Sequence, residues 1–172
     1  RACEVCQTYA ERFVALGGMS DNLLLLGGPG TGKTHLACAS LAQVIRAGHT
    51  GLFMTAYEAL STLRESYGPQ ALRSEREAMA LLSDPELLVL DELGLAIGRD
   101  ATRQALLFQV LNARYGQQRA TIVLGNLRLS ELTQFLGERI VDRLCDGASP
   151  VVSFNWPSHR RLRVINGTEV SG

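Results

Sequence analysis

The sequence predicts an α/β domain, with five parallel strands in one sheet and helices on both faces. Two observations predict it. Five short apolar runs, at 23–26, 51–54, 87–90, 121–124 and 151–154, are continuous rather than alternating, as strands buried on both faces require. Segments with helical periodicity separate them, and strand–helix–strand alternation gives right-handed crossovers and a parallel sheet. The length supports the same picture: 172 residues, 46% of them apolar, suffice for one domain with a real core. Only 6% are aromatic, so that core must be mostly Leu, Val, Ile and Ala.

Taken in order, residues 4–16 carry Val5, Tyr9, Phe13 and Leu16 at helical spacing and stop at Gly17-Gly18. The first strand, 23–26, runs into a glycine-rich loop, and a helix follows from Lys33 to Arg46, closed by Gly48. After the strand at 51–54, helices are expected at 56–67 and 70–82, split by Gly68-Pro69. Asp84-Pro85 precedes the strand at 87–90 and Asp91-Glu92 follows it. A helix over 101–115, the strand at 121–124, two short helices at 130–136 and 138–145 and the strand at 151–154 complete the order. The domain is expected to span 1–164, with a disordered Gly-, Ser- and Asn-rich tail at 165–172.

The glycine-rich loop reads GGPGTGKT from Gly27 to Thr34 and satisfies G-x-x-x-x-G-K-[ST], with a buried strand before it and a helix after it. Glycines let successive backbone N–H groups turn inward onto phosphate oxygens, and the helix start adds its positive dipole end. Gly28, Pro29, Gly30, Thr31, Gly32, Lys33, Thr34 and His35 are therefore the expected nucleotide contacts. The alternative, an ordinary glycine-rich turn, fits poorly with the basic residues: sixteen of the seventeen are Arg, and the one Lys is Lys33. A compact ammonium suits a tight phosphate cradle better than a broad guanidinium. Lys33 is expected at the β- and γ-phosphates of ATP or ADP, and the Thr34 hydroxyl on Mg²⁺. Asp91, delivered at the carboxyl end of a buried strand, is the second Mg²⁺ residue, and Glu92 beside it would orient the attacking water. Two acids capping the next segment are the plain alternative. Asn126 ends the fourth strand, where it either meets the γ-phosphate or simply forms a turn.

Composition excludes several classes. Formal charge is zero, although residues 1–98 carry 7 basic and 11 acidic side chains (net −4) and residues 99–172 carry 10 and 6 (net +4). That asymmetry permits a basic face in the second half. Cys3 and Cys6 form a C-x-x-C without a second pair, short of the four ligands usual in a structural zinc site. No apolar run reaches the ~18 residues of a membrane span, and no signal peptide is apparent, so a cytoplasmic protein without membrane contact is expected.

With these motifs in place, the chain resembles the AAA+ ATPases, in the initiator and loader clade. Within it the chain is similar to the bacterial replicative-helicase loaders of the DnaC/DnaI type, the DnaC branch being the nearer. The resemblance spans about residues 7–163 and rests on GGPGTGKTHL (27–36), LLVLDELG (87–94), LGERIVDRL (136–144) and FNWPSHR (154–160). It implies a three-layer αβα sandwich with little or no C-terminal lid, and hydrolysis of Mg·ATP at subunit interfaces. Asn126 matches the first sensor, Arg160 the second, and Arg143 the arginine finger that completes a neighbour's site, with Arg139 the second choice. A helix-surface Arg143 paired with Glu138, Asp142 or Asp146 is the alternative. Arg64 and Tyr67 match the basic and aromatic residues that hold single-stranded DNA, though by residue type alone Tyr67 reads slightly better as a core aromatic than as a stacking platform. Self-assembly into a spiral or filament on single-stranded DNA and a replicative DNA helicase as partner are implied too. The segment that grips the helicase lies N-terminal in such loaders and is expected to be absent here, and residues 95–102 depart from the family. The nearest rival is an IstB-type transposition helper acting on duplex DNA. A low-turnover ATP-switched binding module is the third reading, and Glu92 argues against a small-molecule kinase.

Overall fold

The computed structural model describes residues 1–19, 21–68, 70–94 and 101–159. Five strands form one all-parallel sheet: β1 (Leu23–Gly27), β2 (Gly51–Thr55), β3 (Leu87–Asp91), β4 (Ala120–Gly125) and β5 (Val151–Phe154), in the order β2-β3-β4-β1-β5. All the sheet's strands are among those expected, within a residue or two at each end. Seven helices are described: α1 (Ala2–Ala15), α2 (Lys33–Arg46), α3 (Ala56–Glu65), α4 (Glu75–Ser83), α5 (Ala101–Gly116), α6 (Leu129–Leu136) and α7 (Glu138–Leu144).

Strand period decides the layers. Successive side chains point to opposite faces, so Leu23 and Leu25 join Leu87, Val89, Ile122 and Leu124 against α1 and α2. Leu24 and Leu26 join Leu88, Leu90 and Val123 against the helices α3–α7. The continuous apolar runs are thus the requirement of a sheet covered twice, and the three-layer αβα sandwich is what forms.

Three local expectations are corrected. Leu16 is not a core residue; it follows α1, half exposed, and Cys6 and Ala10 fill the face with Tyr9 and Phe13. α4 starts at Glu75 rather than 70, because Ser74 accepts from the Glu77 N–H while the Glu77 side chain accepts from the Ser74 N–H. α3 ends at Glu65. Tyr67 therefore lies beyond the helix, 52% exposed, and is no core aromatic.

One buried charge ties the layers together. Arg114 on α5 is 1% exposed. Its guanidinium donates to the carbonyls of Leu82 (3.0 Å), Ser83 (3.2 Å), Pro85 (2.9 Å) and Ala120, while Nε donates to Thr121 Oγ1 (3.0 Å). It thus fastens the α4–β3 turn to the start of β4. Burial pulls the guanidinium down to about 9, which leaves it charged at neutral pH.

Candidate nucleotide site

The loop from Gly27 to Gly32 leaves the carboxyl end of β1 and delivers its last residue as the N-cap of α2. Gly32 sits at φ 97°, a left-handed conformation that closes the loop onto the helix. Gly27 has no room for a side chain, because a Cβ there would meet the backbone of Phe154 on β5. Lys33 is 6% exposed, and its ammonium donates to the carbonyls of Gly27 and Gly28 at 2.7 Å each. Burial lowers its pKa, and the neighbouring Asp91 partly offsets that. Thr31 Oγ1 donates to the Gly28 carbonyl at 2.8 Å and helps hold the curl.

Because β4 lies between β1 and β3, three strand ends converge. Asp91 is fixed at both carboxylate oxygens: Thr34 Oγ1 donates to Oδ2 at 2.8 Å and the Glu92 N–H donates to Oδ1 at 2.7 Å. That amide is aimed by an unusual backbone. Glu92 sits at φ 58°, a conformation a non-glycine residue adopts only when its surroundings impose it. A cleft of about 360 Å³ gathers Pro29, Gly30, Thr31, Gly32, Lys33, Thr34 and His35 of the loop with Asp91, Glu92 and Asn126. Gly28 is in the same loop with its carbonyl toward Lys33. Thr34 and Asp91 supply two hard oxygen donors within hydrogen-bond reach of each other, which fits a Mg²⁺ ion held between them.

Other expected site residues lie elsewhere. Arg143 is on α7; its carbonyl accepts from Asn22 Nδ2 (3.3 Å), and Asn22 also accepts from the Thr121 N–H (2.9 Å). These contacts place it by the amino ends of β1 and β4, whereas the cleft sits at the carboxyl ends. Five residues of strand separate the two edges by roughly 16 Å. Its guanidinium lies 5.1 Å from the Tyr115 ring centre, and Nη1 is buried without a hydrogen-bond partner. Among the described residues it makes no ion pair with Glu138, Asp142 or Asp146; Asp146 instead accepts from the Tyr115 hydroxyl at 2.8 Å. Arg139 is exposed on the same helix. Arg64 is exposed on the last turn of α3, and the Tyr67 hydroxyl donates to Glu75 Oε1 at 3.3 Å; neither lines the cleft. Arg160 and residues 165–172 lie outside the described residues, as does most of 95–102. Among the described residues no cluster of three His, Cys, Asp or Glu could hold a metal, and no helix is long and apolar enough to cross a membrane.

Two groups at this end of the sheet escaped sequence reasoning. Trp156 Nε1 donates to the Thr31 carbonyl (3.1 Å) and the His159 N–H to the Gly30 carbonyl (2.8 Å). Bonds to main-chain carbonyls leave no residue pattern, so only the three-dimensional arrangement reveals them.

Comparison with known proteins points the same way. The family described as IstB-like ATP binding protein matches residues 12–163. The replicative helicase loader DnaC of Escherichia coli (strain K12) is 32% identical over 159 residues, which are 92% of this chain and 63% of that protein. The chain therefore spans less than two thirds of that relative. Among solved structures, AMPPCP-bound DnaA from Aquifex aeolicus superposes with a TM-score of 0.73 at 20% identity, covering 89% of this chain and 46% of that one. A crystal structure of the DnaC helicase loader gives 0.71 at 24%, covering 84% and 85%. The shared fold is that of the AAA+ P-loop proteins.

Proposed function

The chain belongs to the family of IstB-like ATP-binding proteins, and on that premise we propose that it is the ATPase domain of a replicative-helicase loader. In this reading it hydrolyses Mg·ATP between subunits and holds single-stranded DNA. The observation that carries the catalytic part is the convergence of Lys33, Thr34, Asp91, Glu92 and Asn126 on one cleft. The identity to DnaC carries the rest.

Each residue has a chemical part in this reading. Inward-facing amides of the loop and the Lys33 ammonium neutralise the phosphates. Thr34 and Asp91 would hold Mg²⁺, which supplies charge neutralisation across the β- and γ-phosphates. Glu92, exposed in the cleft, accepts a hydrogen bond from the attacking water and aims it at the γ-phosphorus. Asn126 donates its amide to the γ-phosphate, which senses whether that group is present. Arg143, facing away from its own cleft, reaches a neighbour's, while Arg160 would act within its own subunit. Arg64 and Tyr67, both exposed and close in sequence, offer a cation for backbone phosphate and a ring for stacking. Assembly into a spiral or filament and contact with a replicative helicase through a region N-terminal to this domain complete the proposal.

The family match also supports a second reading, a transposition helper of the IstB type working on duplex DNA. ATP turnover of the wild type and Glu92→Gln, with single-stranded or duplex DNA added, separates the readings. The loader proposal expects stimulation by single strands, and about 10²-fold less turnover in Glu92→Gln with nucleotide still bound. Stimulation by duplex alone would favour the transposition helper. Equal slow turnover in both proteins would leave an ATP-switched binding module.

A further inference from the structure

We infer that Trp156 is a positioning residue for the phosphate-binding loop, acting as a latch from the end of the sheet. The inference rests on the nucleotide-binding reading of that loop and adds to it a residue with no part in phosphate contact. A loop that turns its N–H groups inward must turn carbonyls outward, and each outward carbonyl needs a donor or it is better satisfied in some other conformation. From Gly27 to Gly32 the donors can be named for every carbonyl but that of Pro29. Lys33 Nζ serves Gly27 and Gly28, and the Leu36 N–H serves Gly32 (3.1 Å). Among the described residues, the Gly30 and Thr31 carbonyls take their donors from beyond β5, at His159 N–H and Trp156 Nε1.

The segment that supplies them is itself anchored. Phe154 ends β5 at 1% exposure, and its ring lies 4.7 Å from that of Trp156. The backbone of Phe154 also presses so close to Gly27 that only glycine fits there. Rigid β5 thereby carries the indole to the loop, and the indole N–H fixes the outer carbonyl of Thr31. The amides of the loop are held ready before phosphate arrives, so the latch raises affinity without touching the ligand. It acts on ground state and transition state alike, which places its effect in KM rather than kcat.

The test compares the wild type with Trp156→Phe, which keeps the aromatic contact with Phe154 and removes only the donor, and with Lys33→Ala. Binding of a fluorescent ATP analogue, steady-state ATP turnover and Tm are measured on each. The expected result is affinity weaker by about three- to tenfold in Trp156→Phe, with KM raised to match and kcat and Tm held. Affinity equal to wild type would overturn the latch. If the wild type itself binds no more analogue than Lys33→Ala, it is the nucleotide reading that fails instead.

Discussion

Among the described residues, one guanidinium without an ion pair makes six hydrogen bonds. Arg114 is matched by main-chain oxygens of residues 82, 83, 85, 86 and 120 and by the Thr121 hydroxyl, so its charge is spread over oriented dipoles rather than cancelled in an ion pair. The forked geometry is what permits this; a single ammonium could not reach both the α4–β3 turn and β4. Arg114→Lys should therefore strand several buried carbonyls and cost about 3–5 kcal/mol. Thermal melting would register this as a drop of roughly 10 °C. A melt within a degree or two of wild type would show that the fork is dispensable. Sequence gave no hint of this role. Arg114 sits among other arginines with an ordinary helical neighbourhood, and four of its carbonyl partners come from a turn about 30 residues away. Lys33, Thr34, Asp91 and Glu92, by contrast, were legible because backbone curl, buried strand and charge must occur together within a few positions.

Helix starts govern the next scale. α3 and α4 each open with a reciprocal pair, Thr55 with Glu58 and Ser74 with Glu77. In both, hydrogen bonds from the cap residue's backbone N–H and then its hydroxyl hold the glutamate below the ordinary value of 4.5. A carboxylate depressed on folding stabilises above its unfolded pKa, and that stability is lost as pH falls through the folded value. The melting temperature should thus be level from neutral pH down to about 5 and decline below about 4.5. Glu58→Gln with Glu77→Gln should lower Tm by a few degrees at pH 7 and make the acid decline shallower. An acid profile unchanged in the double variant would assign the decline to other groups. These pairs also explain what was misread in the sequence. The break at Gly68-Pro69 suggested a helix from 70, while Ser74-x-x-Glu77 carried the true start. The strands were located correctly because a doubly covered sheet leaves each one a continuous apolar run.

At the level of the whole molecule, the cleft and Arg143 occupy opposite edges of the sheet, so one copy cannot unite them. If Arg143 serves a neighbour, it must first leave the Tyr115 ring, at a cost of about 1 kcal/mol for a partly buried cation–π contact. A transition-state charge contact repays that many times over. Specific activity should then climb with protein concentration. Arg143→Ala should remove the climb, losing about 10³-fold at high concentration while nucleotide affinity stays unchanged. Activity independent of concentration in both proteins would point to a site complete within one subunit.

The placement of Lys33 has a practical side. It is the chain's sole lysine and is tucked beneath the loop at 6% exposure. Within these 172 residues, amine-directed acylating reagents thus find one side-chain target, this ε-amine, and a lysine-specific protease finds one bond to cut. Covalent tagging or cleavage at that point would report, without any engineered probe, how often the loop opens.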